Sequence, residues 1–240
     1  MIHRILPLRA LCLAALLLGL AACEDSEDRA ARHLENAEAL VAEGDPSAAV
    51  LEFRNVLKYV PDHREALAQL AELQMSADAE DAAFGTYQRL VDDHPDATEG
   101  WLTLAEIAIR RNRWDDAASF AEQAEAQAPD SDRTALIRAA LDFRAAVETD
   151  DAEAAAAAAA VARRHVAAEP DSLIARQILI GHAGTFLGPE DALAEVDAAL
   201  EELPGIYALH QLKVQTLADL GRAEAIGPAL EAMAQRFPDR

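Results

Sequence analysis

An all-α solenoid of about six stacked helix-turn-helix units is the fold this sequence predicts, on three observations. Six prolines recur at Pro61, Pro95, Pro129, Pro170, Pro204 and Pro238, at intervals of 34, 34, 41, 34 and 34 residues. Small residues recur in the same phase at Ala49, Ala83, Ala117 and Ala192, with Phe53, Tyr87, Ala121 and Val196 one helical turn further on. A second series, Ala37, Ala71 and Ala105, lies ahead of the first. A fixed period of about 20–50 residues arises when one supersecondary unit is stacked on copies of itself.

Each unit reads as two helices. In the third, Trp101, Leu104 and Ala108 carry an apolar stripe at helical spacing along the first helix. Turn residues separate the two helices of successive units: Gly44-Asp45, Asp78, Arg111-Asn112, Gly188-Pro189 and Gly221. The proline ends the second helix, because it cannot continue the hydrogen-bond ladder. An aspartate follows five of the six prolines, the exception being Pro204, and is expected to cap the next helix. The pairs are therefore expected at about 30–63, 64–97, 98–131, 132–172, 173–206 and 207–240, with no strands.

The fourth interval is seven residues long over the others. Lengthening both helices by about one turn each, at about 3.6 residues per turn, keeps the stacking phase. Thr149-Asp150-Asp151 then forms the turn, and the alanine run Ala154 to Ala160 falls on the second helix as packing surface. In the fifth unit Gly181 and Gly184 lie on the first helix and weaken it. The last helix, Glu224 to Phe237, carries Ile226, Leu230, Met233 and Phe237 at helical spacing. Some of that stripe is left for another surface: further repeats beyond Arg240, a partner, or a second copy.

Taken together these positions resemble the tetratricopeptide repeat (TPR) family over residues 30–240. The usual glycine of the first helix is replaced by Ala, Ile or Val, and aromatic residues make up only 5% of the chain, so the core is mostly Ala, Leu and Val. The resemblance implies a right-handed superhelix whose first helices line a concave groove that binds protein segments, with no enzymatic activity.

Residues 1–22 read as a signal peptide. Arg4 and Arg9 give it a positive start, Leu11 to Leu20 is a short apolar run, and Leu20-Ala21-Ala22-Cys23 closes it. The last four residues resemble the lipobox of bacterial lipoproteins. That implies cleavage before Cys23, lipid attachment at Cys23, and a short acidic tether over 23–29. The protein would sit in the periplasm on a lipid anchor. Glu24 stands where inner-membrane lipoproteins of this class carry Asp, which implies the outer membrane. Cys12 leaves with the signal, so the mature chain holds no disulfide.

Charge narrows the partners. The net charge is −22, and loss of residues 1–22 removes two arginines and no acid, giving −24. Nucleic acid and anionic lipid headgroups are disfavoured as ligands. Motifs for phosphate loops, serine hydrolases and zinc peptidases are missing, and the histidines at 33, 63, 94, 165, 182 and 210 do not pair at ligand spacing. No cofactor and no metal are expected. Trp101 and Trp114 read as core, and Arg110-Arg111-Asn112-Arg113 as a solvated turn paired with nearby acids.

One charge pattern stands out. Glu38, Glu72 and Glu106 recur every 34 residues on successive first helices, and Glu65 and Glu99 recur near helix starts. Helix starts favour acids in any case. In a TPR groove, with helices about 8–10 Å apart, these positions form a ladder of carboxylates. Leu34, Met75, Leu102 and Ile109 would add apolar area. The expected ligand is a basic protein or peptide segment. Ala48 to Leu57, with Gly44-Asp45 before and Pro61-Asp62 after, is similar to the first repeat of TPR lipoproteins that accompany exosortase (PEP-CTERM) sorting and exopolysaccharide export. Type IV pilotins are TPR lipoproteins of about this length. Other readings stand beside this one: the anchor half of a longer protein with a further domain, or a structural protein that self-associates through its last repeat.

Overall fold

A computed structural model describes residues 26–238. Residues 1–22, expected as a signal peptide, lie outside the described residues with Cys23, Asp239 and Arg240. Among the described residues twelve α-helices run in antiparallel pairs and no strand occurs. They are α1 Ser26–Glu43 and α2 Pro46–Tyr59; α3 Arg64–Ser76 and α4 Glu80–Asp93; α5 Thr98–Arg110 and α6 Trp114–Gln127. Then follow α7 Asp132–Thr149 and α8 Ala152–Ala168; α9 Leu173–His182 and α10 Pro189–Glu202; α11 Tyr207–Asp219 and α12 Ala223–Arg236. A π-helical turn, Ala183–Leu187, continues α9. Packing divides the chain into two compact units, the first ending at Ala97 and the second beginning at Thr98.

The periodic positions form the core. Ala37, Ala49, Ala71, Ala83, Ala105 and Ala117 are fully buried, and Phe53, Tyr87 and Val196 lie beneath their neighbours. A methyl group at these positions lets two helix backbones approach closely while still removing apolar area from water. The fourth pair has helices of 18 and 17 residues, against 13 and 14 in the two pairs before it, so the extra residues were absorbed as helix. Helix α1 is also 18 residues long: it begins at Ser26, so the last part of the segment expected as a tether is helical. Ala155, Ala158, Ala159 and Ala162 of the alanine-rich α8 are buried.

The proline turns are uniform, and they correct one expectation. The residue before each proline, from Val60 to Phe237, has φ between −137 and −128. That is the extended conformation the proline ring forces on its predecessor. Pro-Asp then fills the middle of a β-turn, closed by hydrogen bonds such as His63 N to Val60 O, Ala97 N to His94 O and Ser172 N to Glu169 O. The helix N-cap is the residue after the aspartate: His63, Ser131 and Ser172. Asp62, Asp130 and Asp171 are therefore turn residues and not caps, because proline at the second turn position fixes aspartate at the third. Within five of the six pairs, Gly44, Asp78, Asn112, Asp150 and Gly221 take left-handed φ between 53° and 78° and close the first helix; the fifth pair turns at Gly188 instead, with φ 155°.

Gly181 has a packing role that sequence did not suggest. A Cβ placed on it would stand 2.9 Å from Cε1 of Phe143. The ring of Phe143 on α7 lies against the bare backbone of α9, and glycine is what permits that approach. Gly184 sits in the π turn, where a Cβ would meet that of Ala192 at 3.3 Å.

Candidate partner-binding surface

The residues expected to bind a partner fall into both units. On the first, Glu38 of α1 and Glu65 and Glu72 of α3 are exposed. Among the described residues their carboxylates make no ion pair and no hydrogen bond. Leu34 and Met75 are half-buried, and Leu34 packs on the core that contains Ala30, Ala37 and Phe53.

On the second unit the expectation is corrected. Arg133, at the start of α7, reaches back to α5. Its Nε donates to Glu106 Oε1 at 2.9 Å, Nη1 donates to Glu99, and Nη2 meets Thr103 Oγ1 at 3.4 Å. Burial disfavours the charged guanidinium, but the charges of Glu106 and Glu99 outweigh it and hold the Arg133 pKa above its ordinary value. Glu99 and Glu106 are thus tied to the protein itself. Leu102 and Ile109 are only 1% and 5% exposed, so neither offers the surface area expected of it. Both lie on the buried stripe of α5, which is apolar on more than one side.

The remaining charged and polar groups mostly hold turns. Proline turns leave carbonyls unmatched. Arg89 donates to Pro61 O, Arg176 Nε to Pro170 O at 2.9 Å, and Arg64 Nη2 to Asp96 O at 3.2 Å. Histidines serve the same end: His94 meets Asp62 O at 2.6 Å and His210 meets Pro204 O at 2.9 Å. His63 Nδ1 accepts from Ala66 N and caps α3. His33 pairs with Glu52 at 2.5 Å and stacks on Tyr59, tying α1 to α2. With His165, which pairs with Glu169 at 3.3 Å, these contacts account for five of the six histidines among the described residues. Among the described residues no cluster of His, Cys, Asp or Glu has the makings of a metal site, and no helix is long and apolar enough to cross a membrane.

A cavity in the second unit was not anticipated. It has a volume of about 210 Å³ and lies where α5, α7 and α9, the first helices of three successive pairs, meet the start of α6. Ile109, Ile174 and Ile178 form apolar wall, and the half-buried rings of Trp114 and Phe143 complete it. The guanidinium of Arg144 sits over the outer face of Trp114 at 5.5 Å. The signal for this cavity in the sequence is Trp114, which reads there as core together with Trp101. Trp101 does pack inward, its ring 6.0 Å from that of Phe120.

Comparison with known proteins agrees with this architecture. Residues 40–97 and 76–141 match the tetratricopeptide repeat family. No curated protein matches the chain. Among solved structures, a tetratricopeptide repeat protein from Parabacteroides merdae is 12% identical, with a TM-score of 0.56, over 87% of this chain and 80% of its own. PilW, a type IV pilus biogenesis factor, is 18% identical with a TM-score of 0.56, over 88% of this chain and 94% of its own. PilF of Pseudomonas aeruginosa is 10% identical with a TM-score of 0.51, over 90% and 95%. At such identities the likeness is one of fold.

Proposed function

We propose that this chain, which is built of tetratricopeptide repeats, is a membrane-tethered scaffold of the bacterial envelope that binds protein segments and is not an enzyme. The helical-repeat fold suits protein–protein interaction. The observation that carries the choice of ligand is the state of Glu38, Glu65 and Glu72: three exposed carboxylates of the first unit without a partner among the described residues. They favour a basic, extended or helical segment. Exposed pairs contribute only about 0.2–1 kcal/mol each, so Leu34 and Met75 must add apolar contact.

Cys23 is the anchor in this reading. Diacyl or triacyl attachment holds a protein on a bilayer far more firmly than one chain does. The scaffold then stands in the periplasm, at the outer membrane, and serves an export, sorting or pilus assembly. The likeness of fold to a pilus biogenesis factor supports the last of these alongside the similarity to exosortase-associated lipoproteins.

Two experiments test the reading. Cys23→Ala should leave the protein unlipidated and free of the membrane; a variant still processed and membrane-bound would remove the anchor from the account. Glu38→Gln with Glu72→Gln should keep the fold and slow association with the physiological partner, with the difference shrinking as salt rises. Equal binding at low salt would reduce the carboxylates to a solvated helix face.

A second reading, self-association, is favoured by α12, which buries none of its residues and leaves Leu230 43% exposed. A sedimentation profile that shifts with concentration, and stops shifting in Leu230→Ser, would support it.

A further inference from the structure

We propose that one end of the first helix pair is a membrane contact, in which Arg54, Lys58 and Tyr59 of α2 meet anionic phospholipid headgroups beside the anchor. The proposal rests on the reading of Cys23 as the lipidated residue.

Chain length sets the distance. Three residues lead from Cys23 to Ser26, where α1 begins, and they span no more than about 11 Å. The headgroup layer of a bilayer is itself about 5–8 Å deep on each side. The start of α1 lies beside the end of α2. The Arg29 guanidinium stands 5.8 Å from the centre of the Tyr59 ring, and His33 stacks on that ring at 5.7 Å. A lipidated Cys23 therefore holds the Tyr59 end of the pair at the membrane, and not the Gly44 end.

Chemistry sets the occupant. Acids outnumber Lys and Arg by 43 to 21 in this chain. Yet Arg54 and Lys58 are exposed four residues apart on α2, and neither has a carboxylate partner among the described residues. Like charges at that spacing repel each other, and an anion placed against both relieves the repulsion. The Lys58 ammonium stands 5.9 Å from the centre of the Tyr59 ring. Tyr59 packs against the core of the pair, and its hydroxyl makes no hydrogen bond among the described residues. A ring with an apolar body and a polar tip suits the layer between lipid tails and water. Of the nearby acids, Glu52 is engaged by His33 at 2.5 Å. Glu27 and Asp28 stand in the first turn of α1, where the positive end of the helix dipole offsets them, and Asp62 belongs to the proline turn. The net charge of −22 does not decide the matter, because at physiological salt charges more than about 8 Å apart are largely screened.

The chain supplies its own probe: Lys58 and Lys213 are its only lysines. Lys213, held by Asp197 at 2.7 Å, serves as the internal reference. The full chain is expressed, purified from membranes and added to vesicles of phosphatidylcholine, alone or in equal parts with phosphatidylglycerol. A water-soluble amine reagent labels it, and peptide mass spectrometry reads each lysine. The Cys23→Ala protein in solution is the unbound standard. Lys58 should label at least about fivefold more slowly on the anionic vesicles than in the standard, with Lys213 changed by less than about twofold. Protection should be weaker on phosphatidylcholine alone and should shrink as salt rises. Arg54 is exposed, so Arg54→Gln should keep the circular dichroism of the parent and about halve the protection. Lys58 labelling alike on vesicles and in solution, or protected equally on both vesicles, would overturn the contact and leave the anchor standing. A Cys23→Ala protein that stays on the membrane would overturn the anchor, and the contact with it.

Discussion

Arg133 Nε donates to Glu106 Oε1 at 2.9 Å, across the gap between two first helices of successive pairs. With Glu99 on the same guanidinium, one cation satisfies two carboxylates. The side chain of Arg133 is 31% exposed and that of Glu106 21%, so the contact is partly shielded from water. Arg133→Met should therefore destabilise the second unit by about 1–3 kcal/mol, since it strands a half-buried carboxylate. Urea denaturation with and without the substitution measures it. A change smaller than that of an exposed arginine such as Arg163→Met would mean the contact is incidental.

The Arg64–Asp96 pair of the first unit stands in contrast, at 2.7 Å but 48% and 75% exposed. The hydrogen bond from Arg64 holds the Asp96 carboxyl below its ordinary value of 3.8. A depressed carboxylate contributes stability that is present above its unfolded pKa and lost as pH falls through the folded one. Arg64→Gln should raise the Asp96 titration midpoint toward 3.8, followed by NMR of the carboxyl carbon. A midpoint unmoved by the substitution would assign the shift to another cause.

Two glycines should respond in opposite directions. Gly85 lies in α4 with nothing within 4 Å of a built Cβ, so Gly85→Ala should stabilise by about 0.5–1 kcal/mol through backbone entropy. Gly181→Ala should destabilise by about 1–3 kcal/mol, because the new methyl meets Phe143. Phe143→Leu in the Gly181→Ala background should recover part of the loss. Thermal melts of the three variants decide it, and a stabilising Gly181→Ala would show that the approach is loose.

Thr134 carries a hydroxyl that is buried and, among the described residues, lacks a hydrogen-bond partner. Replacing it with a group of the same shape removes the cost of burying an unmatched polar atom. Thr134→Val should stabilise by about 1 kcal/mol. A loss of stability would reveal a bridging water at that position.

Amide exchange should be fastest in α12, which buries no residue and carries Pro228 in its interior. Sequence reasoning pointed instead to the glycines of the fifth pair. Slow exchange over Ala223–Arg236 would show that the face is covered in solution.

The parts of this fold legible in the sequence are those fixed by repetition. Six prolines mark the turns, and the alanines in phase with them mark where helices touch. The 41-residue interval could be read as longer helices because the phase resumed after it. What repetition hides is a residue that breaks the pattern. Glu65 and Glu99 stand four residues after a proline, and the next residue in that series is Arg133. The change of sign was visible, but its meaning depended on which first helix lay beside it. The same holds for Gly181: weak helix former and close contact are indistinguishable until Phe143 is seen against it. Leu102 and Ile109 were misplaced because α5 buries residues around most of its circumference, where a two-sided helix was assumed.

The central claim is that first-helix carboxylates meet a protein partner. A photo-crosslinking residue placed at position 68, between Glu65 and Glu72 on half-buried α3, tests it in cells against one at position 51, the exposed Leu51 of α2. The account predicts a discrete adduct at 68, weakened by Glu38→Gln with Glu72→Gln, and none at 51. An adduct of equal strength at 51, or one at 68 that ignores the two glutamines, would contradict it.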